Sequence, residues 1–189
     1  MERERITDRQ LFAKSADQLA QYLLGKILCK KCNGTVKRYR ILETEAYTAD
    51  EKDAKGKYIC YGAGKTKETA QNLKVAHLFK QPGTWCVYGG LLLISAKTEG
   101  VPDNVLIRAC ECHDEPYRKF EKPDKLAKEL KLYKTQNKML VEEYTDYSGV
   151  DSLTLDAELY FEDAPAVLPV VSKRVNINDD KKWNFKIKE

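Results

Sequence analysis

The chain is poor in the residues that most often announce a chemistry. Its 189 residues include two histidines, two methionines and two tryptophans. A structural zinc site wants four ligands with paired spacing, which two histidines cannot supply alone. Six cysteines are present, and the close spacings among them are Cys29 with Cys32 and Cys110 with Cys112. Reduced, partly buried thiols are the expected reading; a four-cysteine site stays open only if those two pairs meet in space. No apolar run approaches the roughly 20 residues of a membrane span. The opening stretch, MERERITDRQ, lacks the apolar centre of a signal peptide. No internal repeat, low-complexity tract or interdomain linker is visible. These absences turn the reading away from membrane, repeat and disulfide-framework proteins. They predict an intracellular protein, nuclear in a eukaryote or cytoplasmic in a bacterium.

What is present is enough for a packed core. Hydrophobic residues make up 42% of the chain and charged residues 33%, and the length suits one domain over 1–189. The net charge of +4 hides an uneven distribution. From Lys26 to Lys80 there are thirteen basic residues against six acidic ones, whereas Met139 to Pro169 holds eight acidic residues and no basic ones. A positive stretch of this kind suits a polyanionic partner, because phosphate contacts supply most non-specific affinity for nucleic acid. The bland reading is a solvated charged surface.

The pattern predicts an α+β domain with a curved, mainly antiparallel sheet flanked by a few helices. Ser15-Ala16-Asp17-Gln18 has the form of a capping box and Gly25 that of a helix stop, so residues 16–24 should be helical. Strands are expected at 27–32 and 36–47 around an Asn33-Gly34 turn, at 84–95 with a tight turn at Gly89-Gly90, and at 104–112. Residues 48–64 read as a loop and 67–79 as a helix. Asp124 should cap a helix over 125–133 that buries Leu126, Leu130 and Tyr133. Further strands are expected near 153–161, 166–177 and 182–188, with Trp183, Phe185 and Ile187 alternating toward a core.

One segment is chemically unusual. In Ile41-Leu42-Glu43-Thr44-Glu45-Ala46-Tyr47, strand alternation sends Glu43, Glu45 and Tyr47 to one face. A carboxylate two residues from a tyrosine places charge beside an aromatic wall. A site that holds a flat ring and activates water next to it needs that pairing. An acidic strand face turned to solvent is the ordinary alternative.

The order of blocks along the chain resembles the alkyladenine (3-methyladenine) DNA glycosylase family. The blocks are Leu23-Leu24-Gly25, the ETEAY run at 43–47, Pro82-Gly83-Thr84-Trp85-Cys86-Val87-Tyr88 and Leu106-Ile107-Arg108-Ala109. Pro123-Asp124-Lys125-Leu126, Arg174-Val175-Asn176-Ile177 and Lys182-Trp183-Asn184-Phe185 continue the match toward the end of the chain. The resemblance implies removal of alkylated purines from double-stranded DNA by a monomer, through hydrolysis of the N-glycosidic bond, with no metal or organic cofactor. It assigns Glu45 to water activation, Arg108 to support of that carboxylate, and Tyr47 and Tyr88 to stacking on a base flipped out of the duplex. A methylated purine is electron-poor and often cationic, so it stacks well on phenol rings.

The chain departs from that family in three places. The family's hairpin after the PGT strand carries a tyrosine that wedges into DNA and an asparagine that screens purines. Here Gly89-Gly90-Leu91-Leu92-Leu93 replaces it, shorter, with Leu93 near the asparagine's place. Tyr61, Leu91 and Leu92 become the candidates for contacting DNA. The family's base-contacting histidine has no counterpart around Asp53-Ala54-Lys55-Gly56-Lys57, and an arginine near the end is Asn184. A catalytically inert nucleic-acid-binding module is the alternative those losses allow.

Overall fold

The computed structural model describes residues 3–53, 55–61, 75–115, 118–132, 145–177 and 180–188. Its centre is one curled antiparallel sheet of nine strands. β1 (Ile27–Cys32) and β2 (Thr35–Tyr47) form a hairpin. Asn33 and Gly34 turn it with φ of 49° and 77°, the left-handed pair that a two-residue loop requires. β3 (Trp85–Tyr88), β4 (Leu91–Ser95) and β5 (Asn104–Cys112) follow. The expected run at 84–95 is therefore a hairpin that turns at Gly89-Gly90, both at positive φ. A short β6 (Lys119–Phe120) lies on β5. β7 (Leu159–Glu162), β8 (Pro169–Ser172) and β9 (Asn184–Ile187) complete the sheet. The main path runs β3-β4-β5-β2-β1-β7, with β9 joining β2 beyond the end of β1 and carrying β8.

Helix α1 (Ala16–Leu23) matches the expected span, but its capping box does not form. The Ser15 hydroxyl donates instead to Asp17 Oδ1 at 2.6 Å. Gly25 ends the helix at φ 83°. A Cβ there would lie 2.9 Å from Val167 Cγ1, so glycine is required twice over. Helix α2 (Pro123–Glu129) starts before the expected point, with Pro123 in its first turn, because proline's fixed φ and missing N–H suit that position. It buries Leu126 and Ala127, with Leu130 just beyond; Tyr133 lies outside the described residues. Of the helix expected over 67–79, only the end is described, as a 3-10 turn at Ala76–Phe79. The C-terminal strands are shorter than expected. Turn hydrogen bonds from Thr154 to Asp151 and from Ala157 to Thr154 keep the chain folded back before β7. No described helix is long and apolar enough to cross a membrane.

Among the described residues two main cores form, one on each face of the sheet, beside a small third cluster. α1 closes the larger, which holds Phe12, Leu19, Leu23, Trp85 and Phe161. Trp85 and Phe161 pack at 5.0 Å between ring centroids, and Trp85 Nε1 donates to the Leu159 carbonyl. The smaller core holds Tyr47, Cys86, Leu93 and Leu106. The cysteine pairs do not meet: Cys110 and Cys112 sit in the larger core, and Cys29 in a third cluster with Ile27 and Tyr160. Among the described residues no group of three or more His, Cys, Asp or Glu is placed to hold a metal ion.

β2 serves both cores because it changes face midway. Tyr39 and Ile41 point into the larger core, and so do Thr44 and Ala46. Strict alternation cannot put odd and even positions on one side. The pairing with β5 slips on either side of Glu43, and this bulge turns Glu43, Glu45 and Tyr47 together toward the smaller core. On the other face the Thr44 hydroxyl donates to the Ala20 carbonyl at 2.8 Å, fully buried. Thr44→Val keeps the shape and removes that bond. It should lower stability by about 0.5–1.5 kcal/mol, a drop of a few degrees in Tm for a chain this long. A thermal melt reads it, and an unchanged Tm would show that the bond adds nothing to holding α1 on β2.

Candidate functional site

Glu45 is 0% exposed, yet it lies directly behind a cavity. Four donors converge on its carboxylate. Oε1 accepts from the Val175 backbone N–H at 2.7 Å and from Asn184 Nδ2 at 2.9 Å. Oε2 accepts from the Tyr47 hydroxyl at 2.8 Å and from Arg108 Nη1 at 3.1 Å. A carboxylate offers about four acceptor positions, and all are occupied by donors. A buried charge left unpaired would be expensive; here two oxygens are satisfied by one guanidinium, one amide, one phenol and one backbone group.

Each donor is placed by the sheet. Tyr47 shares the face of Glu45 two residues along β2. Arg108 follows Leu106 on the site face of β5, which pairs with β2 through Glu45 and Leu106. Asn184 stands opposite Glu45 on β9. The Arg108 guanidinium also donates through Nε to Glu43 Oε1 at 3.0 Å. Asn184 Nδ2 reaches the same oxygen at 2.6 Å, while its Oδ1 accepts from the Ser172 hydroxyl. Glu43 thus anchors the two side chains that hold Glu45. Lys186 adds a longer pair to Glu43 at 3.5 Å.

Val175 is held by its neighbour. Arg174 is fully buried and makes two hydrogen bonds to Glu51, at 2.9 and 3.0 Å, and a third to the Ala46 carbonyl at 2.8 Å. Its guanidinium lies 5.2 Å from the Tyr47 ring centroid and 5.4 Å from that of Trp183. Burial alone would push the Glu51 carboxyl up, but the bonds from Arg174 and Lys181 outweigh it and hold the group below its usual range. This clamp ties the segment after β8 to the loop after β2, and so aims the Val175 N–H at Glu45.

The cavity is about 380 Å³ and is lined by Tyr47, Tyr61, Leu91, Leu106, Arg108 and Val175, with Gly89-Gly90, Pro123-Asp124 and Asn176-Ile177 at its edges. Its size falls within the range of small-ligand pockets. Three of Glu45's four partners, namely Tyr47, Arg108 and Val175, form the wall between the carboxylate and the cavity. Burial first, then Tyr61 and the Glu45 carboxylate, push the Tyr47 phenol well above its ordinary range, so it stays an O–H donor.

The other expected residues are placed less uniformly. Tyr88 ends β3 and is 39% exposed. Its ring does not face Tyr47: Tyr61 stands against both, 5.1 Å from Tyr47 and 6.2 Å from Tyr88 between centroids. Leu91 is half-buried at the cavity edge. Leu92 is 1% exposed, packs in the larger core and pairs with Val87 and Ile107. The expectation that Leu92 contacts DNA is corrected by this, since β4 alternation sends it away from the cavity. Sequence reasoning missed Glu43, Glu51, Arg174 and Val175 as members of the site. Arg174 and Val175 fell in a recognised block, and Asn184 was noted only as a departure. Nothing in the sequence marked Glu51.

Comparison with known proteins bears on this arrangement. A protein of Clostridium tetani named "Putative 3-methyladenine DNA glycosylase" is 36% identical over 124 residues, covering 61% of this chain and 57% of that protein. A protein of the same name from Clostridium botulinum (strain Langeland) is 37% identical over 108 residues, 54% of this chain and 49% of its own length. The chain spans about half the length of these curated relatives. The family model described as methylpurine-DNA glycosylase matches residues 10–189, from just before α1 through β9 and so through every residue around Glu45, and the chain belongs to that family.

Proposed function

We propose that the chain is a monofunctional DNA N-glycosylase that removes alkylated purines by hydrolysis and leaves an abasic site. The observation that carries this reading is Glu45: a buried carboxylate held by four donors, immediately behind a cavity walled by tyrosines and an arginine. The target atom is hidden in a duplex, so the nucleotide must swing out into the cavity. The transition state resembles an oxocarbenium ion, which a carboxylate stabilises while it orients water. As the C1′–N bond breaks, the base leaves with the electron pair. The water oxygen bonds to C1′ and its proton passes to Glu45.

Water reaches Glu45 by displacing one of its partners. The Tyr47 hydroxyl is the partner that can yield, because a phenol accepts as well as donates and remains bonded when a water inserts between it and Oε2. Arg108 stays anchored by Glu43 and fixes the carboxylate's orientation. The Tyr47 ring offers its face to the base. Lys26 and Lys30 of the basic stretch are buried, and the exposed Lys52, Lys55 and Lys57 of the loop after β2 supply phosphate contacts, the partner being double-stranded DNA bound by one copy of the protein. That substrate places it in the cytoplasm of a bacterium or the nucleus of a eukaryote.

The test is incubation with duplexes carrying 3-methyladenine, 7-methylguanine, hypoxanthine or ethenoadenine, scored for abasic sites. Cationic methylpurines should be released at least about tenfold faster than hypoxanthine. Their charge weakens the glycosidic bond and adds a stacking term of roughly 1–2 kcal/mol on a desolvated phenol. Comparable release of hypoxanthine would sink the charge preference. No release from any duplex would sink the glycosylase reading and leave a DNA-binding module.

A further inference from the structure

We propose that Tyr61 is a specificity-determining residue, which occupies in the free protein the aromatic position between Tyr47 and Tyr88 that an extruded base takes. This rests on the glycosylase reading above and adds a filter to it. Three rings stand in series. Tyr61 is tilted 57° against Tyr47 at 5.1 Å and 57° against Tyr88 at 6.2 Å. Both distances fall in the range where aromatic pairs attract. Tyr61 is half-buried, lines the cavity beside Arg108 and Val175, and packs against the core that contains Tyr47, Leu93 and Leu106. A planar base cannot share that space with a phenol ring.

Entry of a base is therefore an exchange of one aromatic partner for another. Two aromatic contacts are together worth roughly a five- to hundred-fold factor in an equilibrium constant. An ordinary purine replaces like with like and gains little. A cationic methylpurine brings an added attraction to the phenol rings, and so it displaces Tyr61 where a normal base does not. The Gly89-Gly90 turn itself carries no side chain that could screen bases, and Tyr61 screens them by occupancy instead.

The experiment compares Tyr61→Ala and Tyr61→Phe with the wild type for binding to three duplexes. One carries hypoxanthine, one 7-methylguanine, and one a tetrahydrofuran abasic analogue that brings no base to the slot. Tyr61→Ala should bind the hypoxanthine and 7-methylguanine duplexes each roughly five- to hundred-fold more tightly and bind the abasic duplex unchanged. Tyr61→Phe should behave as wild type. Weaker binding of both base-containing duplexes by Tyr61→Ala would make Tyr61 a stacking partner and overturn the proposal. Weaker binding of all three duplexes would make it a DNA contact and also overturn it, as would no change. Tyr61→Trp gives a readout that does not depend on the alanine variant folding. With wild-type emission subtracted, its fluorescence should shift to the red on adding the 7-methylguanine duplex and stay constant with the hypoxanthine and abasic ones. An identical response to all three overturns the proposal. Wild-type protein that neither binds a damaged duplex in preference nor releases a base fails the glycosylase reading and takes the filter down with it. Normal release with a silent Tyr61 fails the filter alone.

Discussion

Glu45→Gln is expected to slow base release by roughly 10²- to 10⁴-fold, the usual worth of a positioned general base. The replacement is nearly isosteric, so the cavity keeps its shape. Its effect on the fold follows from the four donors. An amide has one accepting oxygen and one donating nitrogen. If the oxygen takes the Oε1 position, the Val175 N–H and Asn184 stay bonded. The nitrogen then faces Tyr47 and Arg108. The Tyr47 hydroxyl can rotate and accept, while Arg108 cannot and keeps only Glu43. One charged hydrogen bond is lost, about 1.5–3 kcal/mol. The variant should therefore melt lower but remain folded at the assay temperature, with DNA binding retained. Single-turnover release of 7-methylguanine within tenfold of wild type would remove Glu45 from the chemistry.

The sequence made one half of this site easy to find and the other half hard. Glu45, Tyr47 and Arg108 lie within strands that alternation and motif order both point to, and the structure brings them together. The hairpins at Asn33-Gly34 and Gly89-Gly90 were legible because their turns need positive φ, which glycine and asparagine supply. The bulge at Glu43 was not legible. Alternation assigns faces within a strand but cannot show where a strand switches them, because the slip is fixed by the partner strand. Glu43 consequently read as one more acidic residue, although it anchors both Arg108 and Asn184. Asn184 read as a lost arginine, yet its small amide reaches two carboxylates at once. Long-range pairs such as Glu51 with Arg174 leave no local pattern. Any acidic residue of the loop after β2 could have been the partner, and only the folded chain selects Glu51.

Arg174→Met should cost about 3–5 kcal/mol at neutral pH, because it leaves the buried Glu51 carboxylate with only the half-exposed Lys181 as an ion-pair partner. For a chain of this length that is a drop of roughly 6–20 °C in Tm. Methionine fills much of the volume, so the loss is electrostatic more than steric. Its pH dependence separates this cause from poor packing. In the wild type Glu51 is held below its ordinary range by Arg174 and Lys181 against the opposing effect of burial. Such a group contributes stability that is fully present above its unfolded value, about 4.3, and is lost as pH falls through the folded value. In the variant only Lys181, itself half exposed, offsets burial, so the depression shrinks or reverses. The stability gap between the two proteins should thus be widest near pH 7 and narrow steadily below about pH 4. Paired denaturant titrations at pH 7 and pH 3 measure it. Function should follow through Val175: with the clamp open, its N–H no longer holds Glu45 Oε1, and release should slow even at temperatures where the variant is fully folded. A gap that is the same at both pH values, or a folded variant with wild-type rates, would show that the Arg174–Glu51 pair neither stabilises the loop through charge nor positions the carboxylate.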